Sequence, residues 1–310
     1  MRGALVLFLT ATLACLLVGE GFVRVALKDR FEFPADERSL TYRYDATLGW
    51  FPQEATEKSF TGSRTVRLRH NALGFRDHEY GPKRKPRIAF LGDSFVWGYD
   101  AEESERFTER LQQRLPAFEV LNLGVSGYGT DQEYLLSQGV LRTLAPEVAV
   151  LVYSTNDSRD NSSNFRYGAY YKPYYEVAGG TLQLKGVPVP KSLAAQFAAH
   201  PRLFRSRLAR GLAALFLKPG EPPKSVPDPT RDLLLAERDL LRERGVRFAI
   251  ALVERRESIE RLCSDEGIPL LDLSGAEQYP QVGHWTPEGH ANVAERLLFF
   301  LRERQWIPPL

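Results

Sequence analysis

The chain has 310 residues, 43% of them hydrophobic, enough for one large domain with its own core. Its 41 basic and 39 acidic residues leave a formal charge of +2 and intersperse along predicted helices as solvated faces, which argues against nucleic acid as a partner. Of the two cysteines, Cys15 falls in an apolar N-terminal run, so Cys263 has no internal disulfide partner. No cysteine and histidine cluster has zinc spacing, and neither a metal nor an organic cofactor is expected.

Arg2 precedes an uncharged, mostly apolar run from Ala4 to Gly19, and Phe22, Val23 and Val25 extend it. No good small-x-small cleavage site follows, so residues 1–27 are expected to be a membrane anchor, with a cleaved signal peptide as the alternative. Residues 28–86 are rich in aromatics and arginine (YRYDATLGW, HNALGFRD). The turn residues Asn71 and Gly74 beside Leu73 and Phe75 predict a short irregular accessory unit packed on the main domain.

From residue 87 onward the pattern alternates. Apolar runs at 87–91, 119–123, 148–153, 247–253 and 269–273 read as strands, with helix-like segments at 104–115, 130–144, 231–244 and 257–265. A last helix is predicted over 287–304, with Thr286 as its N-cap and Pro287 in its first turn. This order is that of an α/β domain built on a parallel sheet. Residues 161–229 break the pattern and read as an insertion. It holds a tyrosine cluster (Tyr167, Tyr170, Tyr171, Tyr174, Tyr175), a hairpin turn at Gly179-Gly180, and a basic amphipathic helix over 192–217. Packing is the default reading of the tyrosines, with a carbohydrate surface as the alternative; for the helix the default is a solvated face, against anionic lipid.

The run RIAFLGDSFVWG, from Arg87 to Gly98, stops at Gly92, Asp93 and Ser94, which holds a serine at the carboxyl end of a buried strand. Alone, Ser94 reads equally well as a helix cap. Three further segments follow in order: NLGVSG (Asn122–Gly127), STND (Ser154–Asp157) and HWTPEG (His284–Gly289). Together the four resemble the blocks of the SGNH hydrolases, the GDSL-type esterase superfamily. The resemblance implies a three-layer, flavodoxin-like fold with a mostly parallel five-stranded sheet, placed over residues 87–310 after the N-terminal membrane segment. It makes Ser94 the nucleophile and His284, rather than His290, the base. The backbone N–H groups of Ser94 and Gly127 and the side-chain amide of Asn156 become the oxyanion donors. Those residue types suit the task, since glycine admits close approach and an asparagine amide donates without competing as a base. Many membrane-anchored bacterial members carry a similar LGW…N-x-LGFRD segment, which implies an inner-membrane anchor with the hydrolase on the extracytoplasmic side.

Two positions depart from the pattern. Residues 281 to 283 are Gln281, Val282 and Gly283, where the superfamily has an aspartate that orients the histidine; Ser154 stands where the third block often has glycine. A backbone carbonyl near Gln281, or a carboxylate such as Asp272 or Glu277, would have to orient the ring, or the enzyme is slow. The expected function is a serine esterase acting on an acyl ester, acetyl first, of a glycan or cell-envelope polymer. An acyltransferase on envelope polysaccharide and a catalytically impaired binding protein are the alternatives.

Overall fold

The structure, a computed structural model, describes residues 2–27, 36–198, 200, 202–217 and 222–308. The expected junction of anchor and accessory unit, after residue 27, borders residues outside that range. Five strands form the main sheet: β1 (Arg87–Gly92), β2 (Glu119–Asn122), β3 (Val148–Tyr153), β4 (Arg247–Leu252) and β5 (Leu270–Asp272). The helices that matter here are α1 (Arg2–Ala26), α2 (Phe107–Arg114), α3 (Thr130–Leu144), α4 (Arg207–Ala214), α5 (Thr230–Glu243), α6 (Glu257–Glu266) and α7 (Pro287–Glu303). The segment expected as helix from residue 104 begins with a 3₁₀ turn at Glu103–Glu105, and regular α-helix follows from Phe107.

All sheet pairings are parallel, in the order β5-β4-β3-β1-β2. β1 and β3 are buried at every position, as fully covered parallel strands require, and their side chains alternate between two cores. Ala89, Leu91, Ala149 and Leu151 pack on one face with Leu141 of α3, Leu241 of α5 and Leu262 of α6. Ile88, Phe90, Val150 and Val152 pack on the other with Phe107 and Leu111 of α2 and Leu297 and Leu301 of α7. This is the three-layer, five-stranded α/β fold expected.

The accessory unit is more regular than expected. It forms two antiparallel hairpins, Tyr42–Asp45 with Gly49–Pro52 and Glu57–Thr61 with Thr65–Arg69. Its LGFRD run ties down the rim of the sheet. Arg76 is buried and donates to the carbonyls of Arg67 (3.1 Å), Ala101 (2.6 Å) and Gly98, holding the turn that follows Ser94. Asp77 accepts from the Asn122 amide at 2.7 Å and the Tyr80 hydroxyl at 2.7 Å, which fixes the end of β2.

The insertion has its hairpin where Gly179 and Gly180 were expected to turn, both at positive φ (+57° and +76°). The single helix expected over 192–217 is instead three pieces: Leu193–Ala198, a 3₁₀ turn at Leu203–Arg205, and α4. Pro201, in the middle of that stretch, has no N–H for a helical ladder. Tyr171, Tyr174 and Tyr175 are buried, so most of the tyrosine cluster is packing.

Lys172 pins the insertion to the domain. Its ammonium is fully buried, paired with the buried Asp131 carboxylate in the first turn of α3, and it donates to the Asp160 carbonyl at 2.9 Å. Removing one partner of such a pair strands the other charge in a dry site. Lys172→Met is therefore expected to lower unfolding free energy by about 3–5 kcal/mol, read by urea denaturation, whereas the double variant with Asp131→Leu recovers part of the loss.

Candidate active site

Asp93, not Ser94, caps the short helix after β1: its carboxylate accepts from the Phe95 amide at 2.9 Å. Ser94 is thereby free of the capping task. Its Oγ lies 2.7 Å from Nε2 of His284, a residue 190 positions later in the chain. His284 stands just before α7, whose start is fixed by the Thr286 hydroxyl accepting from the Gly289 amide at 3.0 Å and by Pro287 in its first turn. The His284 carbonyl accepts from the Tyr279 amide at 2.8 Å. The ring lies flat on Tyr99, with centroids 4.3 Å apart at 19°, and Phe95 flanks it at 5.2 Å.

The second ring nitrogen, Nδ1, is buried and has no hydrogen-bond partner. Both carboxylates expected as candidates to orient it are engaged elsewhere: Asp272 accepts from the Ser274 amide at 2.8 Å, and Glu277 accepts from the Thr286 hydroxyl at 2.9 Å. No backbone carbonyl near Gln281 takes their place. The reason is geometric, since the turn from Tyr279 to Gly283 closes on itself, with the Gly283 amide donating to the Tyr279 carbonyl at 2.8 Å. Burial pulls the His284 pKa down to about 4, and the anion that opposes this shift is Asp100. Asp100 follows the stacked Tyr99, is fully buried at φ +61°, and accepts from the Ser63 amide at 2.9 Å through Oδ2, leaving Oδ1 without a partner.

Ser94, His284, Gly127 and Asn156 line one cleft of about 390 Å³, together with Tyr99, Tyr167 and Arg38. Gly127 has φ +82°, and a Cβ there would come within 2.7 Å of an Arg38 guanidinium nitrogen and 3.0 Å of the Tyr167 ring, so only glycine fits. The Asn156 amide is aimed by a buried acidic network. Its Nδ2 donates to Asp93 and Asp160, at 3.3 Å each, and its Oδ1 accepts from Ser154 at 2.7 Å. The Ser154 hydroxyl also lies 2.9 Å from Asp93 and 3.2 Å from Asp157. One hydroxyl has one proton, so part of this network is held by protonated carboxyl groups. Burial agrees: it pushes Asp93 up to about 6 and drives Asp157 well above the usual carboxylate range, each reinforced by neighbouring acids. Glu133, fully buried with both oxygens unpartnered, is raised further by its own burial and by Asp157. Ser154, the departure from glycine, thus fills a proton-sharing position.

The sequence model described as the GDSL-like lipase/acylhydrolase family matches residues 90–292, about two-thirds of the chain. The chain belongs to this family. No curated protein matches it. Among solved structures, a lipolytic protein of the G-D-S-L family from Desulfitobacterium hafniense is similar at 12% identity and TM-score 0.43, covering 70% of this chain and 100% of its own. An esterase from a Pseudoalteromonas species gives 10% identity and TM-score 0.45, covering 72% and 100%. An acetyl xylan esterase gives 13% identity and TM-score 0.41, covering 69% and 98%.

In this GDSL-family hydrolase the second histidine of the segment, six residues after His284, has a packing role. His290 is buried on α7, stacks on Phe107, and its Nδ1 accepts from the Phe107 amide at 3.4 Å; burial lowers its pKa to about 3. A second titratable cluster, Asp77, His78 and Glu109, brings ligand-type atoms within 4.8 Å of one another, but Asp77 already serves the Asn122 amide and the Tyr80 hydroxyl. Sequence reasoning missed Arg38, Tyr99 and Asp100, and named Tyr167 only within a tyrosine cluster whose default reading was packing. Of these only the Tyr-Asp pair close after the GDS block carried a local signal; Arg38 comes from the accessory unit, stacked on Tyr167 at 3.8 Å and paired with Asp36 (2.7 Å) and Glu37 (3.0 Å).

A neutral imidazole is the form that can accept the serine proton. With the His284 pKa at about 4, kcat/KM is expected to hold from neutral pH down and to fall only as pH drops through about 4, not near the ordinary histidine value of about 6.5. Asp100→Asn removes the anion that favours the imidazolium, so the acid limb should move lower still and the plateau kcat should fall. Stopped-flow or plate assays of kcat and of kcat/KM across about pH 3 to 8, at roughly constant ionic strength, check both effects.

Proposed function

We propose that the protein is a serine esterase that removes a small acyl group, acetyl first, from a glycan or cell-envelope polymer, held at the bacterial inner membrane by α1. The observation that carries this reading is the 2.7 Å contact between Ser94 Oγ and His284 Nε2 inside the open cleft. Ser94 attacks the ester carbonyl as Nε2 takes its proton. The oxyanion that develops is met by the Ser94 and Gly127 amides and by one Asn156 Nδ2–H, which must leave its 3.3 Å contact with Asp93 or Asp160 to reach it. His284 then returns the proton to the leaving alcohol, and water, deprotonated by the same nitrogen, releases the acid from the acyl-enzyme. The cleft walls support a polar acceptor, since Arg38, Arg159 and Glu254 line it together with Tyr99 and Tyr167. The helix α1, Arg2–Ala26, is apolar (hydropathy 2.1) and long enough to cross a bilayer, which supports the anchor.

The unpartnered Nδ1 favours a second reading, an enzyme of low turnover. A serine protease deprived of its histidine-orienting aspartate loses about 10⁴ in kcat. Here the Tyr99 stack restrains the ring, but no carboxylate selects its tautomer.

Hydrolysis of p-nitrophenyl acetate by the detergent-solubilised chain, beside Ser94→Ala and His284→Ala, tests the chemistry. Wild-type turnover that both variants abolish is expected; equal rates in all three would end the serine mechanism. Asn156→Ala is expected to cost about 10²–10³ in kcat with KM little changed, because its amide acts on the transition state. Release of acetate from acetylated glycans, compared with long-chain esters, tests the substrate class.

A further inference from the structure

The insertion carries an apolar surface that the catalytic reading does not use. Leu203, Leu212, Leu215 and Phe216 are 63%, 52%, 76% and 84% exposed. Leu208, Leu212 and Leu215 recur at helical spacing on one side of α4, and Arg202 and Arg205 precede it. Large apolar side chains grouped in the open mark a contact surface.

α4 is fixed to α1 at a defined depth. The Glu20 carboxylate, from the last part of α1, accepts from the Ser206 hydroxyl at 2.7 Å and from the Arg207 and Leu208 amides at 3.1 and 2.9 Å. The Ser206 hydroxyl in turn accepts from the Ala209 amide at 3.0 Å. The free amides of the first turn of α4 are thus satisfied by a residue of α1, which also explains a carboxylate at the end of an apolar helix. Gly19 lets the two helices touch, since a Cβ there would come within 3.1 Å of Leu208. Immediately before it, Leu16, Leu17 and Val18 are exposed and apolar; immediately after it come Glu20 and Arg24, paired at 2.7 Å. Exposed Phe22 and Val25 flank that pair, so Glu20 and Arg24 are charges set within an apolar surface, as at a bilayer interface.

We propose that residues 203–217 form a membrane-surface foot, with Leu212, Leu215 and Phe216 entering the outer leaflet beside α1. The inference rests on the reading of α1 as a membrane anchor. Its occupant is phospholipid, because the start of α4 is held against α1 at Glu20 and Gly19, next to the exposed apolar Leu16, Leu17 and Val18, and because arginines at the start of the foot suit anionic headgroups.

The test uses the full chain in nanodiscs of phosphatidylethanolamine and phosphatidylglycerol, with Phe216→Trp compared with wild type. Phe216 is exposed, so the substitution leaves the core untouched. The added tryptophan emission is expected to be blue-shifted and to lose most of its intensity in discs made with acyl-chain-brominated phospholipid, while resisting acrylamide. Emission at the wavelength of water-exposed tryptophan, quenched by acrylamide alone, would overturn the foot. Shielding from both quenchers would overturn it in favour of a second copy of the chain on this surface. Alkaline carbonate extraction of membranes holding the wild-type chain separates the two levels: release of the chain refutes the anchor and the foot with it, whereas retention with a water-exposed Trp refutes the foot alone.

Discussion

β1 lies between β2 and β3 in a sheet whose strands all run the same way. The chain leaving β1 winds toward one face and the chain leaving β3 toward the other, which opens a crevice at the carboxyl ends of both strands. The whole site depends on that reversal. Ser94 follows β1, Gly127 follows β2 and Asn156 follows β3, so three separate segments deliver these residues to one cleft. The histidine completes the group only because α7 packs back over the sheet through Val293, Leu297 and Leu301, which brings the turn before it down onto Ser94.

Beneath that crevice the protein stores protons. Asp93, Asp157 and Glu133 are fully buried, and burial raises all three, reinforced by Asp160 at Asp93, by Asp93 and Asp160 at Asp157, and by Asp157 and Asp93 at Glu133. Held neutral in part, they can donate as well as accept. Ser154 and Asn156 are tied into the same network, so the Asn156 side chain is positioned by acids deep beneath the cleft. Asp93 joins the two halves, since one of its oxygens caps the helix that carries Ser94 and the other reaches Ser154 and Asn156.

The histidine is held differently from the usual arrangement. Packing takes over orientation: Tyr99 lies under the ring, Phe95 beside it, and the Tyr279 amide grips its carbonyl. Packing fixes the plane of an imidazole but not the position of its proton. With Nε2 accepting from Ser94, the hydrogen sits on a buried Nδ1 with nothing to receive it, a condition that costs about 1–3 kcal/mol. The low pKa follows from the same dryness, and Asp100 is the anion that relieves it. The accessory hairpin reaches this point through the Ser63 amide, and Arg76 and Asp77 secure the turns on either side. A segment that looked like packing is therefore part of what holds the site.

Alternating apolar runs and cap residues were enough to read the five strands, the helix at 130–144 and the start of α7, because those signals are local: burial of every residue in a parallel strand, and Thr286-Pro287 at a helix start. The order of the four short blocks was enough to single out Ser94, Gly127, Asn156 and His284, and the missing aspartate was visible as Gln281, Val282 and Gly283. What stands in for it was not. Asp272 and Glu277 were near His284 in the chain but are turned to Ser274 and Thr286, whereas Asp100, nearly two hundred residues away, is the acid whose field reaches the ring. Arg38 beside Gly127, the buried pair of Lys172 and Asp131, and Glu20 at the start of α4 belong to the same class. Periodicity and caps act over a few residues and can be read in order; which charge faces which buried atom is set by how distant segments pack, and only the folded chain decides it.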